Sequence, residues 1–93
     1  MESKQIYYFY VLLCADNTLY GGFTTDLQRR FKQHSNGTGA KYTRLKSRHP
    51  LKMIYHEEFE TKNEALKKEY EFKHQSRNKK LEYLRKNGVN LKN

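Results

Sequence analysis

The sequence predicts a small α/β domain of the α+β kind, its elements running strand, strand, helix, strand, helix, helix. Three observations carry this. Two β-favouring runs, Tyr7 to Cys14 and Thr18 to Thr24, flank a short polar turn. Two helix-start patterns, Thr25-Asp26-Leu27-Gln28 and Thr61-Lys62-Asn63-Glu64, each follow a strand-like run. The chain has 93 residues, one domain's length, so residues 1–93 are read as a single unit with a thin core of two or three layers.

Ile6 to Leu13 is rich in aromatic and β-branched types and apolar on both faces, which predicts a central strand. Ala15-Asp16-Asn17-Thr18 predicts a turn, and Leu19 to Thr24 the return strand of a hairpin. Gly21 and Gly22 have no side chain to pack, so they mark a bulge or a close approach to the backbone. Thr25 opens the first helix, Leu27 and Phe31 face inward, and Asn36-Gly37 ends it. From Gly37 to Pro50 the chain reads as a long basic loop with room for a helical turn, and loops of that length usually carry function. Leu51 to Phe59 is the third strand, with Met53, Tyr55 and Glu57 on one face and Ile54, His56 and Glu58 on the other. Thr61 caps a second helix whose inward stripe is Ala65, Leu66, Glu69, Phe72 and Lys73. Ser76 caps a last helix, with Leu81 and Leu84 inward and Gly88 as its stop.

The formal net charge is +9, so the expected partner is a polyanion, most often nucleic acid. Cys14 is the single cysteine, which excludes an intrachain disulfide and a zinc knuckle and predicts a cytoplasmic protein. Met1-Glu2-Ser3-Lys4-Gln5 precedes an apolar run too short for a signal peptide or a membrane span, so no membrane partner is expected. There is no phosphate-loop pattern and no strand–GxGxxG–helix unit. His49, His56 and His74 lack metal-ligand spacing and read as surface residues.

What remains is a set of polar residues where core residues are expected. Tyr10 and Tyr20 lie in adjacent strands; packing with a hydroxyl at the rim is the ordinary role of such a pair. Arg30 and His34 stand one turn apart on a helix, either on a solvated face or turned towards a phosphate. Glu69 sits between Ala65 and Phe72 on the inward stripe. A buried carboxylate is costly unless paired or metal-bound, so Glu69 is either a metal ligand or the partner of Lys73 or Arg30.

Taken together, Tyr8-Phe9-Tyr10 followed by Tyr20-Gly21-Gly22 resembles the GIY-YIG nuclease motif. Gly22 to Arg30, then His34, is similar to that family's arginine helix, and Glu64 to Glu69 to its glutamate helix. Gly39-Ala40-Lys41-Tyr42-Thr43 resembles a signature of its small single-domain bacterial members, which are similar to the N-terminal domain of the excision-repair endonuclease. The chain departs from the motif at Tyr8, where the family has glycine, and at Gly21, where it has isoleucine. No asparagine after the glutamate helix makes a secure match, Asn78 included.

The resemblance implies a three-stranded antiparallel sheet flanked by helices and metal-dependent cleavage of DNA, in repair or processing, on branched or damaged forms. It implies Tyr10 and Tyr20 as the motif tyrosines, Arg30 on the phosphate, His34 as helper and Glu69 on the metal. Only Glu69 among the carboxylates points at this site, so one Mg²⁺ or Mn²⁺ is expected rather than two. The resemblance favours Tyr10 as general base, whereas the ordinary imidazole pKa favours His34. Gly22, Lys41, Thr43, Arg44, Lys46, Arg77, Lys79 and Lys80 are the expected substrate contacts. The other readings are a non-catalytic nucleic-acid-binding module on the same fold and an interaction module for an acidic protein.

Overall fold

A hairpin and a returning third strand build the sheet. The computed structural model describes residues 4–91, so Met1-Glu2-Ser3 of the N-terminal reading lies outside the described residues. β1 (Tyr7–Leu13) pairs antiparallel with β2 (Leu19–Thr24) and with β3 (Lys52–Phe59), giving the order β2-β1-β3. β1 takes the middle because it alone is apolar on both faces. Asn17 closes the hairpin with a φ of 71°, a conformation asparagine tolerates better than most residues.

The two faces of β1 divide the core. Phe9 and Val11 pack with Phe72 and Leu84, contributed by α2 (Lys62–Lys73) and α3 (Arg77–Lys86). Tyr10 and Leu12 pack with Cys14 and Leu51, and with Leu27 and Phe31 of α1 (Leu27–Ser35). The sheet is thus a middle layer, with α1 and the following loop on one side and α2 and α3 on the other. That loop folds into two single 3-10 turns, Lys41–Arg44 and Lys46–Arg48.

Three local expectations need correcting. Asp26, not Thr25, caps α1: its carboxylate accepts from the Arg29 backbone N–H at 3.1 Å, and a carboxylate at a helix N-terminus also meets the helix dipole favourably. Met53 and Tyr55 do not share a face. Val11 opposes Tyr55 and Leu12 opposes Met53, so Ile54 is an extra, bulged residue. Met53 joins the Tyr10 side, while Ile54 and Tyr55 both join the Phe9 side. Leu66, expected inward, is 37% exposed. The buried line runs through Ala65 and Phe72, and Leu66 lies one residue, about 100°, around the helix.

The regular register beyond the bulge settles where Glu57 goes, opposite Phe9. It faces α3, and the hydroxyls of Tyr55 on β3 (2.8 Å) and Tyr83 on α3 both donate to its carboxylate. It is therefore turned away from Tyr10.

Candidate active site

β1 aims Tyr10 into the layer beneath α1, where its side chain is fully buried. Room for the ring comes from Gly22, its cross-strand partner: any Cβ there would overlap the Tyr10 ring and hydroxyl. Gly22 therefore shapes the site from below. Gly21 is the same device on the other face, where a Cβ would lie 3.0 Å from Phe72 and 3.3 Å from Phe9. Those two rings fill the volume that the isoleucine of the family motif would need. Gly21 and Gly22 mark close approaches, and the bulge lies in β3.

α1 brings the next two groups. Arg30 and His34 stand one turn apart, and both reach the Tyr10 hydroxyl. His34 Nε2 is 2.7 Å from Tyr10 Oη. Arg30 donates from Nε to the same oxygen at 3.4 Å and from Nη1 to Gln33 Oε1 at 3.1 Å. Tyr20 sets its ring edge-on to His34, with centroids 5.2 Å apart, and stacks on Tyr42 at 5.6 Å. So four of the five expected site residues, Tyr10, Tyr20, Arg30 and His34, form one contact group.

Glu69 stands at its rim. It pairs with Lys73 one turn on, at 3.5 Å, and is 22% exposed. Lys73 in turn lies over the Tyr20 ring, 5.4 Å from its centroid. The expectation of an inward carboxylate is thus half right: Glu69 is turned towards the site, and its partner is Lys73 rather than Arg30.

Burial dominates the electrostatics. It pushes the Tyr10 phenol up to about 12; the Arg30 hydrogen bond opposes this, while the charges of Tyr20 and Glu69 add to it. Burial, then the charge on Arg30, holds His34 down at about 4, so its imidazole is neutral at pH 7. The ordinary imidazole value used to favour His34 as base therefore does not hold here.

Thr43 needs the largest correction. It is fully buried and cannot meet a phosphate. Its Oγ1 lies 2.7 Å from His34 Nδ1 and donates to the Ala40 carbonyl at 3.0 Å. Lys41, Arg44 and Lys46 are exposed on the same loop. Arg77 and Lys79 are exposed on α3, and Lys80 Nζ lies over Phe72, 5.5 Å from its centroid. These three belong to the layer on the far side of the sheet from Tyr10. Sequence reading missed Tyr42 and Arg48 as site residues. Arg48 lies over Tyr42, 3.6 Å from its centroid. The signal for Tyr42 was present, since it stands inside the Gly39–Thr43 signature.

Known proteins share this chain's sequence pattern and fold. The family model described as the GIY-YIG catalytic domain matches residues 6–82. A UPF0213 protein of Lactiplantibacillus plantarum is 65% identical over 91% of this chain and 84% of its own length. The solution NMR structure of a protein from E. faecalis aligns with a TM-score of 0.65 at 49% identity, covering 100% of this chain and 97% of that one. A UPF0213 protein from Bacillus halodurans, also solved by NMR, gives 0.60 at 42% identity over 89% and 86%. The chain belongs to the GIY-YIG catalytic-domain family, among its small UPF0213 members.

Proposed function

We propose that this protein is a metal-dependent endonuclease that hydrolyses DNA phosphodiester bonds in repair or processing, with branched or damaged DNA as its substrate. The observation that carries the reading is the buried hydroxyl of Tyr10, held between His34 Nε2 and Arg30 Nε. A structural tyrosine needs one partner; this one meets a proton acceptor and a cation at the same oxygen.

Arg30 binds the scissile phosphate with the rest of its planar fork and steadies the charge that develops on the phosphoryl oxygens. Water attacks phosphorus. Once binding has uncovered the Tyr10 oxygen, fully buried in the free protein, the water's proton passes to it as the Tyr10 proton passes to His34 Nε2. The bond from phosphorus to the leaving oxygen breaks, solvent protonates that oxygen, and His34 returns its proton through Tyr10 to the solvent, restoring both groups. In the free protein the relay is idle: burial makes the Tyr10 phenol a weaker acid and His34 a weaker base, so the transfer is uphill. A phosphodiester at Arg30 brings negative charge near His34, which favours the imidazolium and narrows the gap. Tyr10 is thus the direct base and His34 the proton's destination.

The donor set fits one Mg²⁺ or Mn²⁺. Glu69 offers a hard carboxylate at the rim, and such ions keep most of their water shell. Bound there, the ion would neutralise phosphate charge and make water more acidic. No three His, Cys, Asp or Glu side chains gather as a cage among the described residues, so Glu69 is the group that would hold it. A cytoplasmic location belongs to this reading, supported by a free buried Cys14 and a nucleic-acid substrate.

The test is cleavage of supercoiled, branched and single-stranded DNA with Mg²⁺ or Mn²⁺. Arg30→Ala should lose roughly 10²- to 10³-fold in rate, the usual cost of one fixed donor, with little change in affinity. Arg30→Lys should recover little, because an ammonium lacks the fork. Salt-sensitive DNA binding without cleavage of any form by the wild-type chain would make it a non-catalytic binding module. A flat salt response would point to an acidic protein partner.

A further inference from the structure

We propose that Thr43 is a positioning residue that fixes the tautomer of His34 and so decides which way the Tyr10 proton moves. A hydroxyl has one proton to give, and the Thr43 proton points at the Ala40 carbonyl, 3.0 Å away. Thr43 Oγ1 is then an acceptor, so the group 2.7 Å from it must be a donor: His34 carries its proton on Nδ1. In a neutral imidazole this leaves Nε2 as a bare lone pair, 2.7 Å from Tyr10 Oη. The other tautomer would set Nε2–H against the phenol oxygen, which already receives Arg30 Nε–H. It would then have no lone pair for the Tyr10 proton.

The loop around Thr43 is built to hold this arrangement. Gly39 closes over His34: a Cβ on it would lie 2.7 Å from Nδ1 and 3.0 Å from His34 Cα. Thr43 N–H and Oγ1–H both donate to the Ala40 carbonyl, which fixes the hydroxyl rotor. His49 Nε2 lies 2.6 Å from the Thr43 carbonyl and holds the far end of the turn. His34 and Thr43 are both fully buried, so water does not compete for Nδ1. The Gly39–Thr43 signature is thereby accounted for as a clamp on one imidazole. The catalytic consequence rests on the nuclease reading; the tautomer assignment does not.

The test uses Thr43→Val, which keeps the shape and removes the acceptor, and Thr43→Ser, which restores it. Long-range ¹H–¹⁵N NMR of the histidine rings reports the tautomer directly in the free protein. The wild type and Thr43→Ser should show His34 protonated on Nδ1, and Thr43→Val should show a mixture or the Nε2–H form. Cleavage by Thr43→Val should fall about 10- to 100-fold, the scale seen for outer partners that orient a functional histidine, with DNA affinity unchanged. Thr43→Ser should regain most of that loss. A wild-type His34 protonated on Nε2 would overturn the proposal, even if Thr43→Val failed to fold. So would a Thr43→Val protein that keeps wild-type cleavage. A wild-type chain without nuclease activity but with His34 protonated on Nδ1 would support the clamp and overturn the catalytic role given to it.

Discussion

At the scale of single residues, His34 links the site to stability. Its folded pKa near 4 lies below the unfolded value near 6.5, so the neutral form is the one folding favours. Its contribution is complete above pH 6.5 and is lost as pH falls towards 4, a span of roughly 3 kcal/mol. Tyr10 acts in the other direction: its contribution is present below pH 10 and is lost as pH rises through 10 towards 12. Urea unfolding as a function of pH should show both limbs. His34→Gln should flatten the acid limb between 6.5 and 4, and an unchanged limb would refute the assignment. Glu69 behaves differently, because it is partly exposed and its partner is an exposed lysine. Glu69→Gln should change stability by less than about 0.5 kcal/mol, while removing cleavage and weakening Mn²⁺ broadening of nearby NMR signals. Full cleavage by Glu69→Gln would sink the one-ion reading. Strand alternation and helical spacing put Tyr10, Tyr20, Arg30 and His34 on shared faces, and the motif resemblance made them legible as one site. Thr43 was not, because it sits nine residues beyond His34 in a loop that has no period to read.

At the scale of elements, the order and type of all six were legible, since each begins or ends at a cap, a turn or a glycine. What escaped was set by partners rather than by local pattern. The Ile54 bulge exists only relative to β1, so no reading of β3 alone reveals it. The Asp26 cap competed with an equally good Thr25 pattern one residue away. Two variants test how α2 and β2 are joined to β1. Phe72 is 2% exposed and packs against Phe9 at 5.2 Å and beneath Gly21, so Phe72→Ala should cost about 3–5 kcal/mol. Gly22→Ala should displace the Tyr10 ring. Its expected signature is loss of cleavage with a changed His34 ring signal; a wild-type signal would show that the site tolerates a side chain there.

At the scale of the whole molecule, charge is spread unevenly along the chain. Four of the ten acidic residues, Glu57, Glu58, Glu60 and Glu64, fall within one stretch, whereas Gly37 to Lys52 has none and carries Lys41, Arg44, Lys46, Arg48 and Lys52. DNA should therefore approach from the loop side of the sheet. Binding through six phosphates would give a log–log salt slope of roughly −5. Removing Lys41, Arg44 and Lys46 should lower its magnitude by about one unit each. Arg77→Ala with Lys79→Ala should leave it nearly unchanged, because α3 lies behind the sheet; an equal loss would show that DNA wraps the far layer. The basic loop has one further property. Arg48 binds Asp16 at 3.2 Å and the Tyr42 carbonyl at 2.7 Å, and its own carbonyl accepts from Ala15 N–H at 2.8 Å. These contacts latch the loop to the β1–β2 turn. Ordering a backbone residue costs about 1–2 kcal/mol, and here folding has already absorbed that cost. The loop is preorganised, so on the proposed nuclease reading DNA association should be set by diffusion and charge steering, with no wait for a loop to close.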